Sequence, residues 1–301
     1  MSKSSALIDL SGKIVRAWQK RKSLREQASA VRTVNDMADD IPGLTVDVIN
    51  QTAVVSSTTE LVDKNLERIT EILINKLSLE TIWIKNDSPQ RTKLGLILSD
   101  YIAYGPSPVF PVLIRENGLT YSWSHAQKTF SIGQRPLRTW IHNDLPSWIT
   151  TPESHTLVLG FSYDELISAE NKNTAIHFAT AITATKNLTE CCQEIRTLKD
   201  GAPYDMVILN HPHYTPSLKN RTALFHFYFN LFNLIGRESL LYLSCPFWHK
   251  VQRTFDHVAK RKKYKYKILE TAPAESDFRE EQHADKTAFL KMKIFPSSRL
   301  R

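Results

Sequence analysis

The spacing of apolar residues changes along this chain, and each change marks an expected element. LTVDVINQTAVVSS (44–57) forms two short β-rich runs about a turn at Asn50-Gln51. TTELVDKNLERITEILINKL (58–77) follows, with Thr58 or Thr59 as N-cap and Leu66, Ile69 and Leu73 at helical spacing. ETIWIKND (80–87) reads as a further strand, so this β-β-α-β run predicts a small α+β unit. YGPSPVFP (104–111) is the clearest punctuation, and FPVLIRENGLTYSWS (110–124) reads as a hairpin leading into a second domain.

Beyond it, TLVLGFS (156–162), YDMVILN (204–210), SLLYLSC (239–245), YKYKILE (264–270) and TAFLKMKIF (287–295) read as strands. A helix over 218–235 carries Leu224, Tyr228, Leu231 and Ile235 as a core stripe and ends at Gly236. Such alternation predicts a doubly wound, mostly parallel sheet. Met206-Val207-Ile208-Leu209 shows no polar alternation, as expected of a strand covered on both faces. Ligands of such sheets sit beyond the carboxyl ends of the strands. The expected division is a basic helical arm over 1–30, a small α+β domain over 31–105 and an α/β domain over 106–301.

Charge adds a partner to this picture. Lys and Arg number 39 against 31 Asp and Glu, a formal net charge of +8, so an acidic partner is expected, with nucleic acid ahead of membrane. KIVRAWQKRKSLR (13–25) and KRKKYKYK (260–267) hold much of the excess, the second interleaving tyrosines with Lys262, Lys263 and Lys265. Both patterns suit phosphate contact with aromatic stacking. They equally suit a solvated helix face and a strand edge blunted by lysine. In the arm, Leu10, Ile14, Val15 and Trp18 form a docking stripe. No apolar stretch approaches the roughly 18 residues that span a bilayer, and no membrane partner is expected. The N-terminus lacks the apolar core of a secretory signal, and the three cysteines form no disulfide framework, so the expected compartment is the cytoplasm. A mitochondrial address is the alternative, because the arm is rich in bases; Asp9 and the SALIDLSG segment stand against it.

Four segments carry a family resemblance: RTVNDMADDIPGLTVDVIN (32–50), RENGLTYSWSHAQKTFSIGQRPLR (115–138), VILNHPHY (207–214) and LIGRESLLYLSCPF (234–247). In order and spacing they resemble the class I S-adenosyl-L-methionine (SAM)-dependent methyltransferases that modify cytosine or guanine of large-subunit ribosomal RNA. The resemblance covers roughly residues 30 to 296 and lacks that family's N-terminal PUA module. It implies an α/β fold: a Rossmann-like class I methyltransferase domain preceded by a small α+β RNA-binding-type domain. It also implies SAM as cofactor and RNA, ribosomal in kind, as partner.

Site residues follow from the same resemblance. Cys245 stands in the place of the nucleophile whose thiolate adds to C6 of cytosine and activates C5. A buried small residue at a strand end is the structural alternative. Asn210 replaces the family's Asp; its amide can hydrogen-bond a base edge but cannot serve as an acid. Phe161, Ser162 and Tyr163 match the cofactor turn, but Asp164, Glu165 and Leu166 replace the glycines that let backbone approach the cofactor. Only 41 residues separate Tyr163 from Asp205, and TAIHFATAITATKNL (174–188) offers no acid for the ribose hydroxyls. Arg135 and Arg138 correspond to residues that contact RNA or cofactor, with Gly133 in place of an Asp. Tyr214 either stacks on a flipped base or closes its loop. His211 and His213 lack a third ligand, so no metal is expected. Two readings stay open: an active RNA methyltransferase, possessing an altered SAM pocket, and a catalytically inactive homologue acting as an RNA-binding or ribosome-associated factor.

Overall fold

The structure is a computed structural model that describes residues 9–124, 130, 132–148, 156–159, 203–210, 221–245, 248–273 and 287–297. Contacts divide these into two compact units, 9–124 and 130–297.

In the first unit, helices α1 (Leu10–Lys20) and α2 (Lys22–Gln27) precede strands β1 (Ala30–Asn35), β2 (Leu44–Ile49) and β3 (Thr52–Ser57). Helices α3 (Glu60–Asp63) and α4 (Leu66–Leu77) then lead to β4 (Thr81–Asn86), α5 (Pro89–Lys93) and β5 (Ser99–Tyr104). The strands form one sheet in the order β1-β2-β3-β4-β5, with β3 and β4 parallel and the other pairs antiparallel. The tight β2–β3 connection forms at the expected turn, where Asn50 takes a φ of 52°. The helix expected over 58–77 is two helices. Thr59 caps the first by accepting from Val62 N at 3.3 Å, and the Asn65 side-chain amide then donates to Leu61 O at 2.8 Å, closing that turn before α4 begins.

One face of this sheet is closed by α1 and α4. Leu10, Ile14 and Ala17 of α1 and Ile69, Ile72 and Leu73 of α4 pack with Val46, Val48, Ala53, Val55, Ile82 and Ile84. The N-terminal basic helix is therefore part of the unit's core, and its docking stripe docks on its own sheet. Arg21 is 0% exposed and meets Asp39 through two hydrogen bonds of 2.9 and 2.7 Å, with a third to Ala17 O at 3.1 Å. Arg91 of α5 makes the same fork on Asp63, at 3.1 and 2.9 Å. In each case a carboxylate and backbone carbonyl oxygen meet the terminal nitrogens of the buried guanidinium, while Arg21 Nε has no hydrogen-bond partner among the described residues.

The expected hairpin is β6 (Val112–Glu116) and β7 (Leu119–Trp123), joined by Asn117-Gly118 with both φ values positive, as a two-residue hairpin turn requires. It belongs to the first unit: Ser29 N donates to Arg115 O and Arg115 N to Ser29 Oγ, both at 2.8 Å, and Asn50 Nδ2 donates to Leu113 O at 3.1 Å. The unit thus runs past the punctuation at 104–111.

In the second unit, α6 (Arg135–Trp148) precedes β8 (Thr156–Leu159), β9 (Tyr204–Asn210), α7 (Arg221–Leu234) and β10 (Ile235–Ser244). Helix α8 (Trp248–Arg261), β11 (Tyr264–Pro273) and β12 (Thr287–Pro296) complete it. The sheet order is β11-β12-β10-β9-β8; β8, β9 and β10 are mutually parallel, and β12 runs antiparallel to both neighbours. Helices α7 and α8 cover the face bearing Val207, Leu209, Leu241 and Leu243. Helix α6 meets the opposite face, where Tyr242 Oη donates to Asp144 at 2.9 Å. Gly236 does not end α7 as expected but lies inside β10, where its N–H donates to Ser239 Oγ at 3.0 Å, at a register irregularity beside β9.

Replacing Arg21 by Met leaves buried Asp39 with only the Asn35 N–H at 2.7 Å and the Lys20 ammonium 3.9 Å away, and is expected to destabilise the protein by about 3–5 kcal/mol. Adding Asp39→Leu is expected to recover much of that loss. Urea unfolding of both variants measures it.

Candidate functional site

The parallel strands bring their carboxyl ends into line. Leu159 of β8 lies opposite Leu209, and Asn210 of β9 lies opposite Ser244 of β10. The strand ends expected to carry a ligand therefore form one continuous edge. Phe161, Ser162, Tyr163, Asp164 and Tyr214, expected beyond it, lie outside the described residues. Asn210 is the last residue of β9, in its expected place.

Cys245 follows β10, and its carbonyl accepts from Trp248 N at 3.1 Å as α8 begins. The side chain is 1% exposed and belongs to the cluster of Leu243, Trp248 and Tyr228 under α7 and α8. Burial pushes the Tyr228 hydroxyl well above its ordinary pKa, and the charge of Cys245 in its ionised form would add to that. Enclosure of this kind suits an inert structural thiol; a nucleophilic one requires access. Cys245 lies directly after β10 as expected, and its surroundings are those of a core residue.

Arg135 and Arg138 occupy the first turn of α6, and both are buried. The Arg138 guanidinium lies 4.2 Å over the Phe130 ring. Both side chains expected to contact RNA or cofactor are thus covered in the structure. Further along α6, Asp144 holds Lys291 at 2.6 Å as well as Tyr242, and Trp140 Nε1 donates to Glu270 at 2.8 Å.

The second basic run sorts by strand alternation. Lys263 and Lys265 are exposed, Lys265 on β11 at the edge of the sheet and Lys263 in the turn before it with a φ of 59°. Lys262 is half-buried, with its ammonium 3.6 Å from the Phe229 ring centroid and bonded to Asn233. Burial, with Arg261 beside it, lowers its pKa. The interleaved tyrosines turn inward. Tyr264 packs on Phe232 at 5.5 Å, and Tyr266 on Phe255 at 5.1 Å with its hydroxyl donating to Asp256 at 2.5 Å. On β11, alternation leaves Lys265 exposed and turns Tyr264 and Tyr266 toward Phe232 and Phe255, so these two rings serve the core.

The motif 32–50 has a structural account. Arg32 forks onto Asp47 at 2.8 and 3.0 Å, Asp39 receives Arg21 and Asn35 N, and Asp36 accepts from Gly43 N at 2.5 Å. Gly43 has a φ of 86°, and a Cβ there would lie 2.5 Å from the Thr59 side chain. Sequence reading missed a cavity of about 320 Å³ in the first unit, with Arg25 and Arg115 on its lining. Its residues come from separated segments joined by the Ala28–Glu116 bridge, so no contiguous motif announces it.

No protein-family model matches the chain, and no curated protein matches it. Among solved structures, a candidate SAM-dependent methyltransferase from Streptococcus mutans aligns with a TM-score of 0.70 at 16% identity, over 94% of this chain and 81% of that one. SMU.776, a candidate methyltransferase complexed with SAH, aligns with a TM-score of 0.68 at 16% identity over the same shares. Likeness at this identity is one of fold: the chain has a mixed α/β fold with the Rossmann-like architecture of class I methyltransferases.

Two measurements follow. Iodoacetamide is expected to leave Cys245 unmodified in the native protein and to alkylate it after denaturation, read by peptide mass spectrometry. Burial and the Asp256 bond push the Tyr266 hydroxyl up to about 12, above its ordinary 10.0. Its neutral form is thus favoured by folding, so its contribution to stability is complete below pH 10 and declines as pH rises toward about 12. Tyr266→Phe is expected to flatten that part of the stability–pH profile.

Proposed function

We propose that this protein transfers the methyl group of SAM to a base of RNA, ribosomal RNA being the class implied by the sequence resemblance. The observation that carries this reading is the fold likeness over 94% of the chain to two candidate methyltransferases, one of them complexed with SAH. A net charge of +8 supports a polyanionic substrate.

The aligned strand ends at Leu159, Asn210 and Ser244 fit a cofactor that lies across the carboxyl edge of the sheet. SAM supplies an electrophilic methyl group when bound. Phe161, Ser162, Tyr163 and Asp164 are the residues assigned to hold it, and the Asn210 amide is suited to orienting a base through its polar edge. An exocyclic amine as target asks only for that orientation. Cytosine C5 as target asks in addition for the Cys245 thiolate at C6, and so for Cys245 to be uncovered when RNA binds.

The 1% exposure of Cys245 favours a second reading, a catalytically inactive homologue that binds RNA. Calorimetry with SAM separates the two. Wild type is expected to bind SAM, and Cys245→Ala to retain that binding while losing transfer to cytosine if C5 is the target. Absence of heat in wild type and in the Asp164→Gly, Glu165→Gly double variant would sink the methyl-transfer reading.

A further inference from the structure

The basic run at residues 13–25 looks from sequence like a surface for phosphates, yet most of its charges already have partners. Lys13 Nζ donates to Asp40 O at 2.7 Å, Arg16 pairs with Asp9 at 3.0 Å, Lys20 lies 3.9 Å from Asp39, and Arg21 is buried on Asp39. Arg25, the last base of the run, is different: it lines the cavity of about 320 Å³ together with Arg115 of β6.

That cavity is assembled from α2, the start of β1, the β2–β3 turn and the hairpin. Val31 and Val48 contribute apolar lining, and Ser29, Asn50 and Gln51 contribute polar groups; among the described residues no carboxylate lines it. The Arg25 side chain and the Arg115 backbone are both held. The Arg25 guanidinium stacks 3.4 Å over the Trp18 ring and donates to Trp18 O, leaving further N–H groups of its five. The Arg115 backbone is tied through both its N–H and its carbonyl to Ser29, while its side chain is exposed. Asn50, in the left-handed conformation, is held by its bond to Leu113 O.

Two guanidinium groups without a lining carboxylate among the described residues, beside apolar lining, form a recognition surface for an anion attached to an apolar or aromatic body. The volume lies at the small end of ligand pockets, which span about 300–1,000 Å³. We propose that this cavity binds one nucleotide of an RNA strand: the phosphate between Arg25 and Arg115, with the ribose or base toward Val31 and Val48. The choice of RNA rests on the methyltransferase reading above. The anion chemistry rests on the cavity alone.

The test is binding of a 12-residue oligouridylate to the full chain by fluorescence anisotropy over a salt series, with AMP and inorganic phosphate as competitors and SAM calorimetry in parallel. Arg115→Glu is expected to weaken oligouridylate binding about tenfold or more and to lower the salt slope by about one. Arg68→Glu, which makes the same change in net charge at an exposed position of α4, is expected to cost much less. Arg115→Lys, which keeps the charge but loses the fork, is expected to fall between wild type and Arg115→Glu. Thermal melting verifies that the variants are folded. Equal affinity of Arg115→Glu and wild type, an equal loss in Arg68→Glu, no binding of oligouridylate by wild type, or competition by AMP or phosphate at the oligonucleotide's own affinity would each overturn the proposal. SAM heat with an insensitive Arg115→Glu removes the cavity's role and leaves the methyltransferase reading standing. Arg115-dependent RNA binding without SAM heat does the reverse.

Discussion

The second unit depends on β9 and β10 being buried on both faces. Val207, Leu209, Leu241 and Leu243 need one apolar layer, and Met206, Ile208, Leu240 and Tyr242 need another. Helices α7 and α8 provide the first, and α6 meets the second. With both faces covered, backbone polar groups are left without strand partners only at the strand ends. That is where Asn210 and Ser244 stop in register and where the chain must turn. Ligands of such sheets sit beyond the carboxyl ends of the strands, and among the described residues both faces of β9 and β10 are buried.

Charge in the first unit follows a different constraint. A guanidinium that enters a core needs its charge met, so Arg21 and Arg91 each carry a carboxylate inward with them. Asp39 then also accepts from Asn35 N, and Asp36 from Gly43 N, so the acidic motif shapes the loop between β1 and β2. Residues that look like RNA contacts by charge alone are here the means by which a small sheet closes over two short helices. Which bases remain at the surface is therefore a property of tertiary placement and not of composition.

Much of the fold was legible in sequence because period and punctuation are local. The turn at Asn50-Gln51, the hairpin at Asn117-Gly118 and all five strands of the second unit appear where alternation or apolar runs put them. The edge strands β1 and β5 of the first sheet were not read. The motif 32–50 was read through its resemblance, and SDYIAY in β5 has the burial of an exposed edge, which leaves little alternation to detect. The break of 58–77 into two helices was illegible as well, since its cause lies in the Asn65 side chain replacing a backbone donor. Gly236 shows the same limit: glycine after a helical stripe signals a cap, but the chain passes straight into β10, using Ser239 to join Gly236 to Tyr204.

The candidate site divides along the same line between local and distant information. Position along the chain placed Cys245 and Asn210 at strand ends, because a strand's end is written in its own residues. What surrounds Cys245 is supplied by α7 and α8, through Tyr228 and Trp248, which are 17 residues before and 3 residues after it in sequence. A thiol becomes a nucleophile through access and a stabilised negative charge, and both are properties of such neighbours. The same holds for Tyr264 and Tyr266, whose alternation with lysine was visible but whose side of the strand was set by Phe232 and Phe255. Sequence therefore locates the strand ends, whereas the neighbours brought by the fold determine which side chains there are covered. At the carboxyl edge that covering takes in Cys245, which is 1% exposed beside Tyr228 and Trp248.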